Sequence, residues 1–475
     1  MLFNSLEFAV FLPIVFLLYW FVFQRNLKLQ NLFIVAVSYL FYGWWDWRFL
    51  FLIAFTSFCS WSSGLLIEKY RHRAVAKVVH VSNICLNLGI LGIFKYYDFF
   101  VTSFANLFLG GNTDGLLLKI ILPVGISFYT FQALSYSIDV YREKLPAVRD
   151  IVQFFAFVSF FPQLVAGPIE RAANLLPQFA APRRFDCDAA VDGMRQILWG
   201  LFKKIAIADN CARIVDATFG SYQTQSGSTL ALAAVLFSVQ IYCDFSGYSD
   251  IAIGTAKLFG IRLMRNFNCP YFSRDIAEFW RRWHISLTTW FRDYVYIPLG
   301  GSRVSKSKIV RNTFVIFLLS GFWHGANWTF LAWGAYHALL FLPLILLGKN
   351  RKYTGAVAEN RRLPSLREAG QMLLTFVLAV VGWILFRAET ITQAADYFRH
   401  LVTAPWNNPI RDDIWPTILC ILALLVVEWV QRDKPHALEL SGIRSHFLKF
   451  SIYYALILVL FLSYVTSETF IYFQF

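Results

Sequence analysis

The chain has 475 residues, of which 57% are hydrophobic and only 15% are charged. So little charge excludes a set of soluble domains and indicates a polytopic membrane protein. The net charge of +14 would suggest nucleic-acid binding in a soluble chain, but here the cations cluster between apolar segments, so membrane topology explains them and we expect no nucleic-acid partner.

The apolar runs predict the membrane helices in chain order. They are expected near 6–24, 31–45, 48–66, 78–94, 116–138, 151–166, 228–243, 313–347, 370–386, 415–430 and 449–468. Since a helix of about 20 residues crosses a bilayer, we expect an all-α protein with roughly 10 to 13 transmembrane or re-entrant helices. The first run carries Glu7 and no cleavage site, which predicts an uncleaved first span. The more polar segment 167–227 predicts a loop with interfacial helices.

Clusters of Lys and Arg between the apolar runs predict the orientation. They occur at 25–28, 69–77, 142–144, 303–311 and 349–362. Loops rich in Lys and Arg face the cytoplasm, so the N-terminus is expected outside. A helix that begins near Ile309 and rises ~1.5 Å per residue carries His324 roughly 20 Å above the cytoplasmic face, inside the ~30 Å hydrocarbon layer.

A histidine ends the apolar run that leads to Phe322-Trp323-His324-Gly325. A polar side chain at this depth is costly, so we expect it to lie in protein or in a water-filled cavity. Gly325 is a common helix-ending residue and predicts a break there. His324 is therefore a candidate general base, and the alternative is a structural histidine that hydrogen-bonds to backbone.

The segment from Glu278 to His284, EFWRRWH, is the second candidate. On a helix, Glu278 would pair with Arg281 or Arg282 at i,i+3 and i,i+4 spacing. The two arginines are candidates to hold an anionic donor such as a phosphate-bearing thioester, and the alternative is an interfacial helix whose charges face water. The spacing between His284 and His324 does not determine whether they meet.

Two carboxylates, Asp244 and Asp250, lie next to apolar sequence at 240–254. A buried carboxylate needs a partner, so we expect them to pair with arginines or backbone N–H groups rather than to act as catalytic acids. His337, in the following apolar run, is expected to pack in the core. The seven cysteines lie singly, which predicts neither a disulfide framework nor a metal site.

Four blocks of sequence, in the same order, resemble the membrane-bound O-acyltransferase family. They are FPQLVAGPI at 161–169, DFSGYSDIAIG at 244–254, NFNCPYFSRDIAEFWRRWHISLTTWFRDYVYIPLGG at 266–301 and FWHGANWTFLAWG at 322–334. The similarity is greatest to the bacterial alginate O-acetyltransferase branch and to the related protein for D-alanyl transfer to teichoic acids. The resemblance implies a ring of transmembrane helices around a central funnel that leads to His324, with His284 as the second site residue. We treat 1–475 as a single membrane-embedded domain with a motif-bearing core at about 160–335.

The resemblance also implies a reaction. Acetyl from cytoplasmic acetyl-CoA would be transferred for O-acetylation of an exported or cell-wall polysaccharide such as alginate, in the bacterial inner membrane. No permanently bound cofactor is expected, and a periplasmic acetyltransferase partner is implied. The alternatives are a transporter or flippase of a lipid-linked sugar or acyl carrier, in which the histidines would relay protons, and a structural scaffold.

Overall fold

The structure is a computed structural model that describes residues 1–113, 115–406, 414–465 and 470–471. In these ranges all regular secondary structure is helical. The chain divides into two compact units, unit 1 with Met1–Gly193 and Ala252–Met264, and unit 2 with Met194–Ile251 and Arg265–Phe475. The motif-bearing core at about 160–335 contributes to both units, and the single membrane-embedded domain stays a prediction.

Unit 1 contains helices α1 to α9. Their bounds are α1 Leu6–Leu17, α2 Leu27–Gly43, α3 Phe49–Lys69, α4 Ala74–Leu91, α5 Tyr97–Phe108, α6 Ile126–Tyr141, α7 Ile151–Ser159, α8 Phe161–Leu164 and α9 Ala172–Ala180. Polar side chains cap the N-termini of several of these helices. The Asn26 side chain, for example, accepts hydrogen bonds from the first backbone N–H groups of α2 at 2.9 and 3.2 Å, which satisfies donors that the helix leaves open.

The first of the four sequence blocks lies in the core of unit 1. The ring of Phe161 packs against those of Phe11 and Phe259 at centroid distances of 5.4 and 5.7 Å. Glu170, directly after the block, is fully buried and accepts a hydrogen bond from the Asn174 side chain at 2.7 Å and another from the backbone of Met264. These contacts assign the block a packing role within unit 1.

Unit 2 contains most of the remaining helices. The bounds are α10 Cys187–Leu201, α11 Asp209–Gly220, α12 Gly227–Leu258, α13 Ile276–Arg282, α14 Ile285–Phe291, α15 Lys306–His324, α16 Trp328–Leu346, α17 Leu366–Arg387, α18 Ile391–Thr403, α19 Trp415–Val430 and α20 His446–Ser463. The boundaries between the two units fall within α10 and α12 and after Met264. A π-helical turn, Phe202–Ala208, joins α10 to α11.

Among the described residues, six helical segments are long and apolar enough to cross a membrane. They are Phe49–Lys69, Ala74–Phe108, Gly227–Leu258, Trp328–Leu346, Leu366–Arg387 and His446–Ser463. Shorter apolar helices at Leu6–Val22, Leu27–Gly43 and Trp415–Val430 add to them. The predicted all-α, multi-pass membrane protein is thereby confirmed.

The helices in the apolar runs are interrupted next to glycine and proline residues. The run 313–347 is broken where the sequence predicts, because α15 ends at His324 and α16 begins at Trp328. The run predicted for 116–138 is helical only from Ile126, since Gly125 adopts a φ of +73° directly before it. The run 151–166 is interrupted at Phe160, and Pro162 lies in the first turn of the short helix that follows.

Helix α12 continues past the predicted end of its apolar run at 243, because buried lysines neutralise its carboxylates. Lys204 Nζ lies 2.8 Å from Asp244 and 2.7 Å from Asp209, and Lys203 Nζ lies 2.5 Å from Asp250. Asp244 and Asp250 are therefore structural, as predicted. Their cationic partners are lysines rather than arginines, and Asp244 also accepts a hydrogen bond from a backbone N–H, that of Ile471 at 2.7 Å. The sequence predicts Lys203 and Lys204 in a polar, interfacial segment, but both are buried.

Replacing Lys204 with Met is expected to destabilise the protein strongly, because two buried carboxylates lose their shared cation. Removing one partner of a buried ion pair costs about 3–5 kcal/mol. Thermal unfolding of the purified protein in detergent measures the effect. Lys257→Met is the control, since its pair with Asp192 at 2.6 Å is partly exposed and such pairs contribute about 0–1 kcal/mol. Equal losses in the two variants would contradict this role.

Candidate active site

His324 lies at the end of α15, where the chain turns back into α16. Gly325 is extended and ends the helix, and the Asn327 side chain accepts a hydrogen bond from the Thr329 N–H at 3.1 Å to begin the next one. The imidazole therefore sits at a helix end rather than along a lipid-facing stripe, as the sequence predicts.

Glycines allow α15 and α16 to pack with their backbones in contact. A Cβ atom on Gly321 would collide with the carbonyl oxygen of Phe330, and one on Gly334 with that of Phe317. Small residues at such positions are how membrane helices approach closely. Gly321 and Gly334 thus determine how closely α15 and α16 pack, and with it the position of His324 at the end of α15.

Aromatic rings surround His324, whose side chain is 3% exposed. The ring centroids of Trp323, Trp333 and Phe386 lie 4.9, 5.2 and 5.3 Å from that of the imidazole. A ring placed edge-on to aromatic faces keeps little freedom of rotation in a packed interior. The funnel that the resemblance implies stays a prediction.

His284 is the second histidine of the site, and its ring centroid lies 6.4 Å from that of His324. It is buried between α13 and α14, outside the candidate membrane helices. Burial lowers the pKa of the His284 imidazole to about 3, so the ring is neutral at physiological pH. The structure therefore brings together two histidines whose proximity the sequence does not determine.

The backbone of His284 adopts a left-handed conformation, with φ +43° and ψ +54°. This region is disfavoured for residues other than glycine, and such strain persists only where the surroundings hold it. The N–H of the next residue, Ile285, donates to the backbone carbonyl of Asn266 at 2.9 Å. The conformation aims the imidazole inward instead of along a helix surface.

Asn266 is a site residue that sequence reasoning missed. Its side-chain oxygen lies 3.1 Å from Nδ1 of His284, and it accepts hydrogen bonds from the hydroxyl and backbone N–H of Ser286 at 2.9 and 3.3 Å. Its side-chain nitrogen donates to Ser249 Oγ at 3.1 Å. Asn266 is the first residue of the third sequence block, which could have marked it as a candidate. Nothing in the sequence, however, indicates that it contacts His284.

The two arginines suggested for donor binding are hydrogen-bonded within the protein. Arg281 donates to the carbonyls of Asn350 and Tyr353 at 2.5 and 2.6 Å. Arg282 donates to Glu278 at 2.8 Å and to the carbonyl of Gly355 at 3.0 Å. Glu278 and Arg282 are both buried, so the alternative of a helix whose charges face water is wrong for this pair.

His337 lies apart from the two site histidines in an aromatic cluster. Its ring centroid is 5.0 Å from that of Trp280 and 5.0 Å from that of Trp333, and the side chain is fully buried. The predicted packing role is confirmed. In the part of the chain that the structure describes, no group of three or more His, Cys, Asp or Glu side chains could hold a metal ion.

Comparison with known proteins gives a consistent result. Residues 142–366 match the model of the membrane-bound O-acyltransferase family. The chain is 42% identical over 398 residues to a probable alginate O-acetylase AlgI of Pseudomonas aeruginosa, covering 83% of this chain and 73% of the relative. It is 35% identical over 432 residues to the peptidoglycan O-acetyltransferase of Helicobacter pylori, covering 85% and 80%. It is 30% identical over 283 residues to the teichoic acid D-alanyltransferase of Bacillus subtilis, covering 56% and 69%.

Replacing Gly334 with Ala is expected to push α16 away from α15, because the added methyl group meets backbone that cannot rotate aside. The thermal unfolding temperature in detergent should fall. Gly370→Ala is the matched control, since a methyl group there meets open space on the exposed side of α17 and should stabilise the helix by about 0.5–1 kcal/mol. A Gly334→Ala protein as stable as the control would show that the helices are not held by this contact.

Proposed function

Because the chain belongs to the membrane-bound O-acyltransferase family, we propose that this acyltransferase supplies acetyl groups for O-acetylation of an exported or cell-wall polysaccharide. The relatives named for acetylation of alginate and of peptidoglycan support this class of acceptor. The observation that carries the proposal is the meeting of two buried histidines, with ring centroids 6.4 Å apart, in the matched region. Acyl transfer to a hydroxyl needs a base at the point of attack, and an imidazole is well suited to that role.

The proposed reaction uses acetyl-CoA as a donor that enters from the cytoplasmic side and is not permanently bound. His324 takes the proton of an acceptor hydroxyl while the hydroxyl oxygen attacks the thioester carbonyl. The new C–O bond forms, the C–S bond breaks, and the proton passes from His324 to the leaving thiolate. Holding donor, acceptor and base together lowers the barrier further, because the reacting groups are already oriented.

Arg281 and Arg282 remain our proposed contacts for the phosphates of the donor, together with the cationic segment 303–311. Arg281 is the better candidate of the two. Its described hydrogen bonds all run to backbone carbonyls, which phosphate oxygens can replace, whereas Arg282 is paired with the buried Glu278. Arginine forms two parallel hydrogen bonds with a phosphate, which favours it for this task.

We place the protein in a bacterial inner membrane with the N-terminus outside, since the segments 69–77 and 303–311 are rich in Lys and Arg. Acetyl groups would then move from a cytoplasmic donor to an acceptor on the opposite side. A periplasmic acetyltransferase that completes transfer to the polysaccharide is the proposed partner.

Replacing His324 with Ala is expected to abolish acetylation of the polymer, because a positioned acid–base group contributes about 10²–10⁴-fold to the rate. His284→Ala is expected to reduce acetylation strongly, because the site loses its second buried imidazole. The measurements are the acetyl ester content of polymer from complemented cells and the amount of each variant in the membrane. His400→Ala, in α18, is the control. Full acetylation by His324→Ala at normal protein level would rule out this mechanism.

An assay with labelled acetyl-CoA distinguishes an acyltransferase from a transporter. We expect the purified protein, with its partner protein where required, to release free CoA thiol from acetyl-CoA in a reaction that needs His324. A transporter or flippase would move its substrate in proteoliposomes without cleaving the thioester, and a scaffold would tolerate replacement of both histidines.

Replacing Arg281 with Gln is expected to raise KM for acetyl-CoA with a smaller change in kcat, because a contact to the non-reacting phosphates contributes to binding more than to the chemical step. Steady-state kinetics with acetyl-CoA and with a truncated thioester that lacks the nucleotide measure this. Arg399→Gln is the control, since that side chain pairs with Asp396 on an exposed helix face. An equal effect on both donors would exclude phosphate binding by Arg281.

A further inference from the structure

The hydrogen bonds around Asn266 determine which of its side-chain atoms faces His284. The backbone N–H of Ser286 points at Oδ1 of Asn266 at 3.3 Å, and a backbone N–H can only donate. The atom that receives it is therefore the amide oxygen. The opposite end of the amide is compatible with this orientation, because the Ser249 hydroxyl, 3.1 Å away, can accept a hydrogen bond from the amide nitrogen.

The same oxygen then determines where His284 carries its hydrogen. Nδ1 of His284 lies 3.1 Å from Oδ1 of Asn266. An amide oxygen only accepts, so Nδ1 must donate and carries the hydrogen of the neutral ring. The second nitrogen, Nε2, is left with its lone pair. It is buried and has no hydrogen-bond partner among the described residues.

The backbone of Asn266 acts on His284 as well. Its carbonyl accepts the N–H of Ile285 at 2.9 Å, directly after the left-handed conformation of His284. One residue thus holds both the strained backbone and the ring. An orientation maintained from two sides is typical of functional groups that must meet a substrate in one geometry.

We propose that Asn266 is a positioning residue that holds His284 as the Nδ1–H tautomer, so that Nε2 serves as a hydrogen-bond acceptor for a hydroxyl group of the acceptor molecule. The proposal rests on the proposed function and refines it. A neutral His284 in this tautomer cannot donate through Nε2 to the oxyanion that forms on the thioester carbonyl. It acts on the hydroxyl side of the reaction, and the oxyanion is stabilised by other donors.

The surroundings of the ring agree with a neutral His284 at physiological pH. Its described ring neighbours are Phe245, Phe267, Trp323 and His324. Only His324 among these can titrate, and no carboxylate of the described residues contacts the imidazole to favour its charged form. The tautomer is therefore set by the hydrogen bond to Asn266 rather than by a charge.

Nitrogen NMR of protein with ¹⁵N-labelled imidazoles tests the tautomer without any activity measurement. The signals of His284 are those that vanish in His284→Gln. We expect hydrogen on Nδ1 in the wild type, the same tautomer in Asn266→Asp, and a mixture or the Nε2–H form in Asn266→Leu. Hydrogen on Nε2 in the wild type, or an unchanged tautomer in a folded Asn266→Leu protein, would overturn the proposal while leaving the acetyltransferase function intact.

The pH dependence of acetyl transfer gives a second measurement, for which Asn266→Asp is informative even if Asn266→Leu does not fold. A carboxylate against Nδ1 favours the imidazolium, so the acidic limb of the rate profile should move towards neutral pH. Asn268→Asp is the matched control, because its backbone and not its side chain contacts Arg282 and it makes no described bond to His284. We expect Asn266→Leu to lower kcat on the order of 10²-fold.

If Asn266 were purely structural, its replacement would instead reduce the yield of folded protein. The pH profiles of Asn266→Asp and Asn268→Asp would then have identical acidic limbs.

Discussion

The cost of placing charged and polar groups in an apolar interior governs how unit 2 is built. Such a group is costly unless it meets a partner inside the protein, because lipid supplies none. Lys204 meets Asp209 and Asp244, Glu278 meets Arg282, and Asn266 meets His284 and Ser286. The pairs Lys204–Asp244 and Asn266–His284 join different segments of the chain, so satisfying these polar groups and assembling the unit are the same event. The site is a product of that requirement.

Features set by neighbouring residues were predictable from the sequence. The break after His324 follows from Gly325, and the apolar runs give most membrane helices to within a few residues. Features that depend on residues distant in the sequence were not predictable. The end of α12 was misplaced because the lysines that neutralise Asp244 and Asp250 lie in another segment, which was predicted to be interfacial. The role of Asn266 was missed for the same reason, since its importance exists only once the chain has folded against His284.

The two histidines of the site differ in how they are held. His324 is enclosed by aromatic rings, which fix its position by shape. His284 is held by directional bonds, which fix its hydrogen as well as its position. The hydrogen bond to an amide oxygen selects the tautomer of the neutral His284 ring, because that oxygen only accepts.

The bonds from Arg281 to the carbonyls of Asn350 and Tyr353 tie a connecting loop to α13, which ends two residues before His284. These hydrogen bonds join the loop to the helix, so a displacement of the loop is passed on to the helix while the bonds persist. Any tension applied to the loop, such as the docking of another molecule against it, is carried to the backbone beside the imidazole. The backbone next to His284 is therefore linked to a segment that is distant in the sequence.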